Sequence, residues 1–306
     1  MKIQFLLLSD GPSHKLLGIN VVNGLKRLGI EAEYFFSNRK AGQLLKSPAY
    51  VFCLKPRDDD FLVAEFKKRG SKVALILNDE QLPYNRSSIY DFAVSPSIVW
   101  KRMWESKHEK PCYLIKEEFD YYFLKKHQEE SIRVVTVGYS ENLKKHLMYV
   151  PTLAMNFDFT IVSERQVPEF KNAKFKKFQP DASYYFEKDY DKMVIEQFRE
   201  FNVGIITQDS SGSTSNRLKL LMYAGLPVIC SRTENHSDLW FNQTEMKIDY
   251  FSSSIVDIVN SLGDFQKRQE IVDFNYSKIS RYGGIEASGK SFLEAIEMFE
   301  RSARSR

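Results

Sequence analysis

The sequence predicts an α/β protein with two parallel sheets, and three observations support this. Short apolar runs alternate with helical stretches along the 306 residues, which is the pattern of repeated strand–helix–strand units. That alternation is interrupted once, at residues 125–131, where KKHQEES is charged, lacks apolar residues and has the composition of a linker. The length also suits two domains, each with its own core. We therefore expect two Rossmann-like domains with parallel sheets facing a cleft.

The first predicted domain covers residues 1–128 and begins with a buried strand followed by a long helix. Mostly apolar runs of three to six residues mark its strands, and apolar residues at helical spacing mark its helices. The predicted strands are 3–8, 32–36, 50–54, 73–77 and 92–94, and the predicted helices are 15–28, 61–68 and 96–105.

The second predicted domain covers residues 129–286 and repeats the pattern. Its predicted strands are 133–137, 159–162, 174–178, 203–207 and 228–230. The remaining segment, 287–306, carries Phe292, Leu293, Ile296 and Phe299 at helical spacing. This spacing predicts an amphipathic C-terminal helix that packs on another element.

Composition excludes several classes of function. A net charge of +4 is too small for a basic nucleic-acid-binding protein. The apolar run at residues 5–8 is too short for a signal peptide, so we expect a cytoplasmic protein. Cys53, Cys112 and Cys230 are scattered, which indicates reduced structural thiols. Acidic residues 58–60 suit the start of a helix better than a metal site, and we expect neither a metal nor a cofactor.

The most informative stretch is DSSGSTSNRLKLLMYAGLPVICS, residues 209–231. A loop rich in Ser, Thr and Gly precedes a helix predicted over 217–223, which ends at Gly225. Ser215 or Asn216 could cap this helix. Helix N-termini attract phosphate through unsatisfied N–H groups and the helix dipole, and Arg217 adds a fixed positive charge. The pattern indicates an anion site, although a capped helix in any α/β protein would also explain the serines.

NRLKLLMYAGLPVI resembles the stretch NKxxEYMxxGxPVI of GT-B glycosyltransferases, especially family 4 and its relatives in bacterial surface-polysaccharide biosynthesis. Asn216 and Arg217 fall on the Asn-Lys pair, and Gly225 with residues 227–229 falls on the G-x-PVI end. The resemblance implies that the first domain is on the acceptor side, that the second binds the nucleotide sugar, and that the last helix crosses back to the first domain. It assigns the donor diphosphate to Ser213, Thr214, Ser215, Asn216 and Arg217.

The chain departs from the family pattern at two positions. The family carboxylate that commonly holds the donor ribose corresponds to Leu220, and its partner eight residues earlier corresponds to Gly212. Because the paired-glutamate signature of retaining members is absent, the stereochemical outcome and the way the ribose is held stay open.

Three further loops follow strands of the second domain, and ligands of parallel sheets bind outside the carboxyl ends of strands. Gly138, Tyr139 and Ser140 follow the first of these strands, where the family's glycine-rich turn meets the donor. Glu164 and Arg165 follow the next strand, and Gln179 follows the one after. The resemblance places these last three at the nucleotide base, without indicating which base they read.

Two loops of the first domain offer groups for acid–base chemistry. Gly11, Ser13 and His14 follow the first strand and resemble the family's acceptor-side loop. His14 could serve as a general base or hold the sugar, or it could simply neighbour a helix cap on a solvated loop. Asp79 or Glu80 could deprotonate an acceptor hydroxyl, and turn or capping chemistry is the alternative.

A tryptophan-rich helix is predicted within residues 95–110. Trp100, Met103 and Trp104 fall on one helical stripe, and Lys and Arg residues surround it. Such a helix suits peripheral contact with the inner face of a membrane. The alternative is a stripe that faces the core and has a solvated rim.

The sequence thus predicts a metal-independent glycosyltransferase of hexosyltransferase type. It would move a sugar from a nucleotide-diphosphate donor to a glycan or lipid-linked acceptor. Two alternatives remain open, namely a GT-B nucleotide-sugar epimerase and a non-catalytic module that binds a sugar nucleotide or glycan. The first alternative needs several acid–base groups near the sugar, and the second is favoured by the missing carboxylate at Leu220.

Overall fold

The structure, a computed structural model, describes residues 1–7, 12–36, 48–54, 60–78, 84–146, 148–179, 187–207, 216–231, 233, 247–248 and 255–305. Its contacts divide into two compact units. The described part of the first unit belongs to Met1–Glu118 and Gly283–Arg306, and that of the second belongs to Phe119–Ser211 and Ser215–Tyr282. The division therefore falls earlier than the predicted boundary after residue 128.

The first unit contains a six-stranded sheet in the order β2-β1-β3-β4-β5-β6. Its strands are β1 (Lys2–Leu7), β2 (Glu31–Phe36), β3 (Tyr50–Leu54), β4 (Lys72–Ile76), β5 (Phe92–Ser95) and β6 (Cys112–Leu114). Every pair of neighbouring strands is parallel. Parallel strands need crossover connections, and α-helices lie in several of those that the structure describes.

Three helices of this unit follow β1, β3 and β5, respectively. They are α1, which runs from residue 12 to residue 27, α2 (Asp60–Lys68) and α3 (Ile98–Lys107). The first helix consists of Pro12–His14, a π-helical turn at Lys15–Ile19 and Asn20–Arg27. π-Helical turns within α-helices are rare and often accompany functional sites.

The second unit contains another six-stranded sheet, in the order β12-β11-β10-β7-β8-β9. Its strands are β7 (Arg133–Val137), β8 (Asp158–Ser163), β9 (Lys174–Lys177), β10 (Val203–Ile206), β11 (Val228–Ser231) and β12 (Lys247–Ile248). These pairs are also parallel. The α/β class with two parallel sheets is therefore confirmed.

Helices cover the sheet of the second unit. They are α4 (Ser140–His146), α5 (Val150–Asn156), α6 (Tyr190–Glu196), α7 (Asn216–Tyr223), α8 (Ile255–Ser261) and α9 (Phe265–Tyr282). The strand β10 precedes α7 in the chain, so α7 begins at the carboxyl edge of the sheet. That edge is where ligands of open parallel sheets bind.

The terminal helix α10 (Gly284–Arg304) packs against α1 within the first unit. The two backbones approach closely at Gly24, where a Cβ atom would lie 2.0 Å from the carbonyl oxygen of Ile285. The aromatic ring of Phe292 lies 5.3 Å from that of Phe5 and 5.0 Å from that of Phe52, measured between centroids. The apolar stripe of α10 thus completes the core on one face of the first sheet.

The opposite face of the first sheet is covered by α3. Trp100 and Trp104 are only 4% and 1% exposed, and they belong to the core cluster that also contains Leu6 and Val51. The indole Nε1 of Trp104 donates a hydrogen bond to the carbonyl of Lys110 at 3.1 Å. The predicted membrane contact through these tryptophans is therefore wrong, because their apolar stripe faces the sheet. Among the described residues no helix has the length and apolar content to span a bilayer.

The segment predicted as a linker, residues 125–131, contains buried charged and polar side chains of the second unit. The Nζ of Lys125 donates hydrogen bonds to the carbonyls of Arg199, at 2.9 Å, and Phe201. His127 is also buried and donates from Nε2 to the carbonyl of Gly225, at 3.1 Å. Charged side chains can be buried here because neighbouring carbonyls replace water.

Candidate functional site

The side chain of Arg217 lies directly over the backbone of Gly138. Gly138 follows β7, and a Cβ atom at this position would lie 2.9 Å from Nη1 and 3.3 Å from Cδ of Arg217. Any residue with a side chain would need to displace the guanidinium. Two residues of the predicted diphosphate site, which are far apart in sequence, are thus in contact at the carboxyl edge of one sheet.

The helix that carries Arg217 is held firmly by its apolar residues. All residues of α7 from Leu218 to Tyr223 are buried, whereas Asn216 and Arg217 at its start are half-buried. A Cβ atom at Gly204 of β10 would lie 2.8 Å from Cδ1 of Leu221, so the helix packs closely onto the sheet. Consequently the first turn of α7 has a fixed position relative to Gly138.

The C-terminus of α7 ends as the sequence predicts. Gly225 has a φ of +75°, which favours glycine. Its N–H donates to the carbonyl of Met222 at 3.0 Å, and the N–H of Leu226 donates to that of Leu221 at 3.2 Å. These bonds satisfy the last carbonyls of the helix.

The first residue of α7 presents a buried acceptor. The Oδ1 atom of Asn216 is inaccessible to solvent and has no hydrogen-bond partner within the described ranges. A buried polar oxygen normally has a partner, because leaving it unpaired costs free energy. Because solvent does not reach this oxygen, a ligand could contact it only after the surrounding chain rearranges.

Leu220 occupies the position at which the resemblance places a carboxylate. It is 6% exposed and belongs to the buried face of α7. Its side chain offers no hydrogen-bonding group, so ribose hydroxyls cannot be held from this position.

A polar cluster joins the loops after β7 and β8. The carboxylate of Glu164 accepts from the backbone N–H of Ser140, at 2.9 Å to Oε2, and also from the Ser140 hydroxyl. The Nε of Arg165 donates to Oγ of Ser140 at 2.9 Å, and its Nη2 donates to Glu141. The predicted donor-loop residue and two predicted base-binding residues are therefore in direct contact.

These contacts set the charge of Glu164. Partial burial alone would raise the pKa of this carboxyl group. The hydrogen bonds from the hydroxyl and N–H of Ser140 outweigh that effect, so the pKa of Glu164 lies below its ordinary value. The carboxylate is thus ionised at neutral pH. It accepts a hydrogen bond from the first backbone N–H of α4.

Tyr139 and Gln179 are the remaining predicted residues of this edge. Tyr139 lies between Gly138 and Ser140, and its side chain is 53% exposed. The backbone N–H of Gln179 donates to Oε1 of Gln197 at 3.2 Å, which fixes the end of the loop after β9 beside α6. The side chain of Gln179 is exposed.

In the first unit, His14 lies in the first turn of α1 and is only 2% exposed. This burial contradicts the alternative in which His14 lies on a solvated loop. Ser13 is half-buried beside it. Further along the helix, a Cβ atom at Gly18 would lie 2.5 Å from Cδ2 of Leu7, so the π-helical turn lies tightly on β1.

Several predicted residues lie outside the described residues, and their roles stay predictions. They are Gly11, Asp79, Glu80, Ser213, Thr214 and Ser215.

The two units and their sheets define the chain as a protein with the GT-B glycosyltransferase fold. HepE of Anabaena in complex with UDP is similar to it over 97% of this chain and 100% of that chain, with a TM-score of 0.69 and 13% identity.

Two other solved structures agree. The BGT of T4 phage in complex with UDP and Mn²⁺ has a TM-score of 0.64 and 12% identity, over 98% of this chain and 99% of that chain. An OtsA apo structure has a TM-score of 0.61 and 10% identity, over 96% of this chain and 99% of that chain. No protein-family model and no curated protein sequence matches the chain. At these identities the likeness establishes the fold.

Proposed function

We propose that the protein is a glycosyltransferase that uses a nucleotide-diphosphate sugar as its donor. One observation carries the proposal: Arg217, in the first turn of α7, lies over the side-chain-free backbone of Gly138. A helix N-terminus and a guanidinium held against a glycine backbone together form a site suited to a diphosphate.

The solved structures of similar fold suggest which donor to test first. HepE is known in complex with UDP-glucose as well as UDP, and the T4 phage BGT is known with UDP and Mn²⁺. We therefore propose a uridine diphosphate hexose as donor. The acceptor we propose is a glycan or lipid-linked sugar of a surface polysaccharide, as in the family 4 enzymes that the motif resembles.

The chemistry requires charge stabilisation at the leaving diphosphate. Negative charge grows on the phosphate oxygens as the bond to the sugar breaks, and preorganised donors at that position lower the barrier. In our proposal Arg217 and the N–H groups at the start of α7 fulfil this role without a metal ion. Deprotonation of the acceptor hydroxyl falls to His14 or Asp79, of which His14 is a buried imidazole.

One observation favours a second candidate, a non-catalytic module that binds a sugar nucleotide. Leu220 is buried and apolar at the position of the family carboxylate, so the donor would be held with one contact fewer. Incubation with UDP-hexoses distinguishes the two. Slow release of free UDP supports a transferase, whereas binding without turnover supports the module.

The central experiment is a calorimetric titration of the wild type and Arg217→Ala with uridine, UMP and UDP. Charge-assisted hydrogen bonds to phosphate contribute about 1.5–3 kcal/mol, so UDP should bind roughly 10- to 100-fold more weakly to the variant. Uridine should bind equally to both. Arg301→Ala, which removes an exposed arginine of α10, is the matched control. An unchanged affinity for UDP in a folded Arg217→Ala variant would overturn the proposal.

A further inference from the structure

The carboxylate of Glu164 is a fixed negative charge close to the proposed diphosphate site. Its Oε2 and Oε1 atoms lie 2.9 and 3.2 Å from the backbone nitrogen of Ser140. Ser140 is 1% exposed and also gives its hydroxyl to the same carboxylate. The position of the charge is therefore defined by a buried partner, although part of the Glu164 side chain reaches solvent.

Chain geometry limits the distance between this charge and Arg217. Two residues of chain span at most about 7 Å, so Ser140 lies close to Gly138. The guanidinium of Arg217 in turn contacts the Gly138 position. The carboxylate and the guanidinium are thus separated by at most about 13 Å along this path.

Neighbouring charges do not cancel the charge of Glu164 completely. The Nε of Arg165 is 3.7 Å from Oε1 of Glu164, but the same guanidinium is also paired with Glu141. Lys144 lies between Glu141, at 3.7 Å, and Glu169, at 3.2 Å. Three carboxylates and two cations therefore leave one net negative charge in this cluster.

We propose that Glu164 determines which form of the nucleotide the site prefers, by opposing the free nucleoside diphosphate more than the intact nucleotide sugar. This inference rests on the proposed function. In the donor, the terminal phosphate is esterified to the sugar and carries one charge. When the bond to the sugar breaks, that phosphate gains an ionisable oxygen with a pKa near 6. The product thus carries more negative charge at neutral pH, and Glu164 promotes its release.

The expected size of the effect on the dissociation constant follows from Coulomb's law. One additional charge at about 10 Å, with an effective dielectric constant between about 20 and 80, changes a dissociation constant by roughly two- to fifteenfold. The Debye length is about 8–10 Å at physiological ionic strength. The effect should therefore be larger at low salt than at high salt.

The test compares UDP and UDP-glucose binding to the wild type and to Glu164→Gln. Glutamine keeps an acceptor for Ser140 and removes the charge, so UDP should gain about two- to fifteenfold in affinity relative to UDP-glucose. The gain should shrink in high salt. Asp158→Asn is the matched control, because Asp158 pairs with Lys174 at the amino end of β8, opposite the end that Glu164 follows. In this control variant, the ratio of UDP affinity to UDP-glucose affinity should equal that of the wild type.

A folded Glu164→Gln protein with an unchanged affinity ratio would overturn this inference and leave the proposed function intact. A wild type that binds neither ligand would overturn both. If Glu164→Gln does not fold, Arg165→Gln provides the opposite test. Removing this cation should strengthen the discrimination against UDP, and a ratio unchanged or shifted toward UDP would contradict the inference.

Discussion

The Nε atom of Arg268 lies 3.3 Å from Nδ1 of His127, and both side chains are buried in the second unit. Since a guanidinium can only donate, Nδ1 of His127 must be the acceptor and Nε2 must carry the proton. That proton is donated to the carbonyl of Gly225, at the end of α7. The neutral imidazole thus connects α9 to the helix that carries Arg217.

This arrangement predicts a loss of stability in mild acid. Burial, followed by the charge of Lys125, lowers the pKa of His127 from 6.5 to about 4. As the pH falls from 6.5 to about 4, the unfolded chain binds a proton that the folded protein does not bind. The free energy of unfolding should therefore fall by about 3 kcal/mol across this window through His127 alone.

Urea titrations at a series of pH values measure this dependence. In His127→Gln the slope between pH 6.5 and 4 should be smaller by the contribution of one proton. Gln128→Ala, which truncates an exposed neighbour, should keep the wild-type slope. Identical slopes in His127→Gln and the wild type would show that this imidazole does not resist protonation.

The sequence could not indicate this network. KKHQEES has the composition of a solvated linker, and only the carbonyls of Arg199, Phe201 and Gly225 make burial of its charges tolerable. Those carbonyls come from distant parts of the chain, so no local pattern reveals them. Parallel strands, in contrast, could be predicted because a strand buried on both faces must be a continuous apolar run.

The candidate site, like the fold, could be predicted from the sequence only in part. The order of strands and loops predicts that Gly138 and Arg217 lie at one edge of a sheet, and the structure brings them into contact. The pairing of Glu164 with Ser140 depends on side-chain orientation, which sequence order does not fix. The signal available in the sequence for this pairing was a Glu that follows one strand and a Ser that follows the neighbouring strand.

Gly138→Ala tests the contact with Arg217 without removing a charge. The new methyl group would lie 2.9 Å from Nη1 and must displace the guanidinium. We expect UDP affinity to fall about tenfold or more, in line with the loss of one charge-assisted hydrogen bond. Uridine affinity should change little. Equal binding of UDP by Gly138→Ala and the wild type would mean that the guanidinium position is unimportant for the diphosphate.

Trp104 tests the assignment of α3 to the core. Its side chain is 1% exposed and donates to the carbonyl of Lys110, so Trp104→Ala should lower the free energy of unfolding by about 3–5 kcal/mol. Ser106→Ala, at an exposed position of the same helix, should stay within about 0.5 kcal/mol of the wild type. A Trp104→Ala protein of wild-type stability would contradict the assignment of this side chain to the core.

The periodicity of α3 explains why its sequence left two interpretations open. Trp100, Met103 and Trp104 form an apolar stripe whether a sheet or a lipid surface covers it. The choice depends on the partner, which here is the sheet face containing Leu6 and Val51.

The final prediction concerns the charge that stabilises the leaving diphosphate. If Arg217 and the start of α7 neutralise it, turnover of UDP-hexose should survive EDTA within about twofold, whereas Arg217→Ala should raise the barrier by about 2–4 kcal/mol. That barrier corresponds to roughly a 30- to 1000-fold loss of rate. The T4 phage BGT was solved with Mn²⁺ as well as UDP, so both assays should include this ion. Loss of turnover in EDTA with full recovery in Mn²⁺ or Mg²⁺ would contradict the prediction and assign the charge neutralisation to a metal.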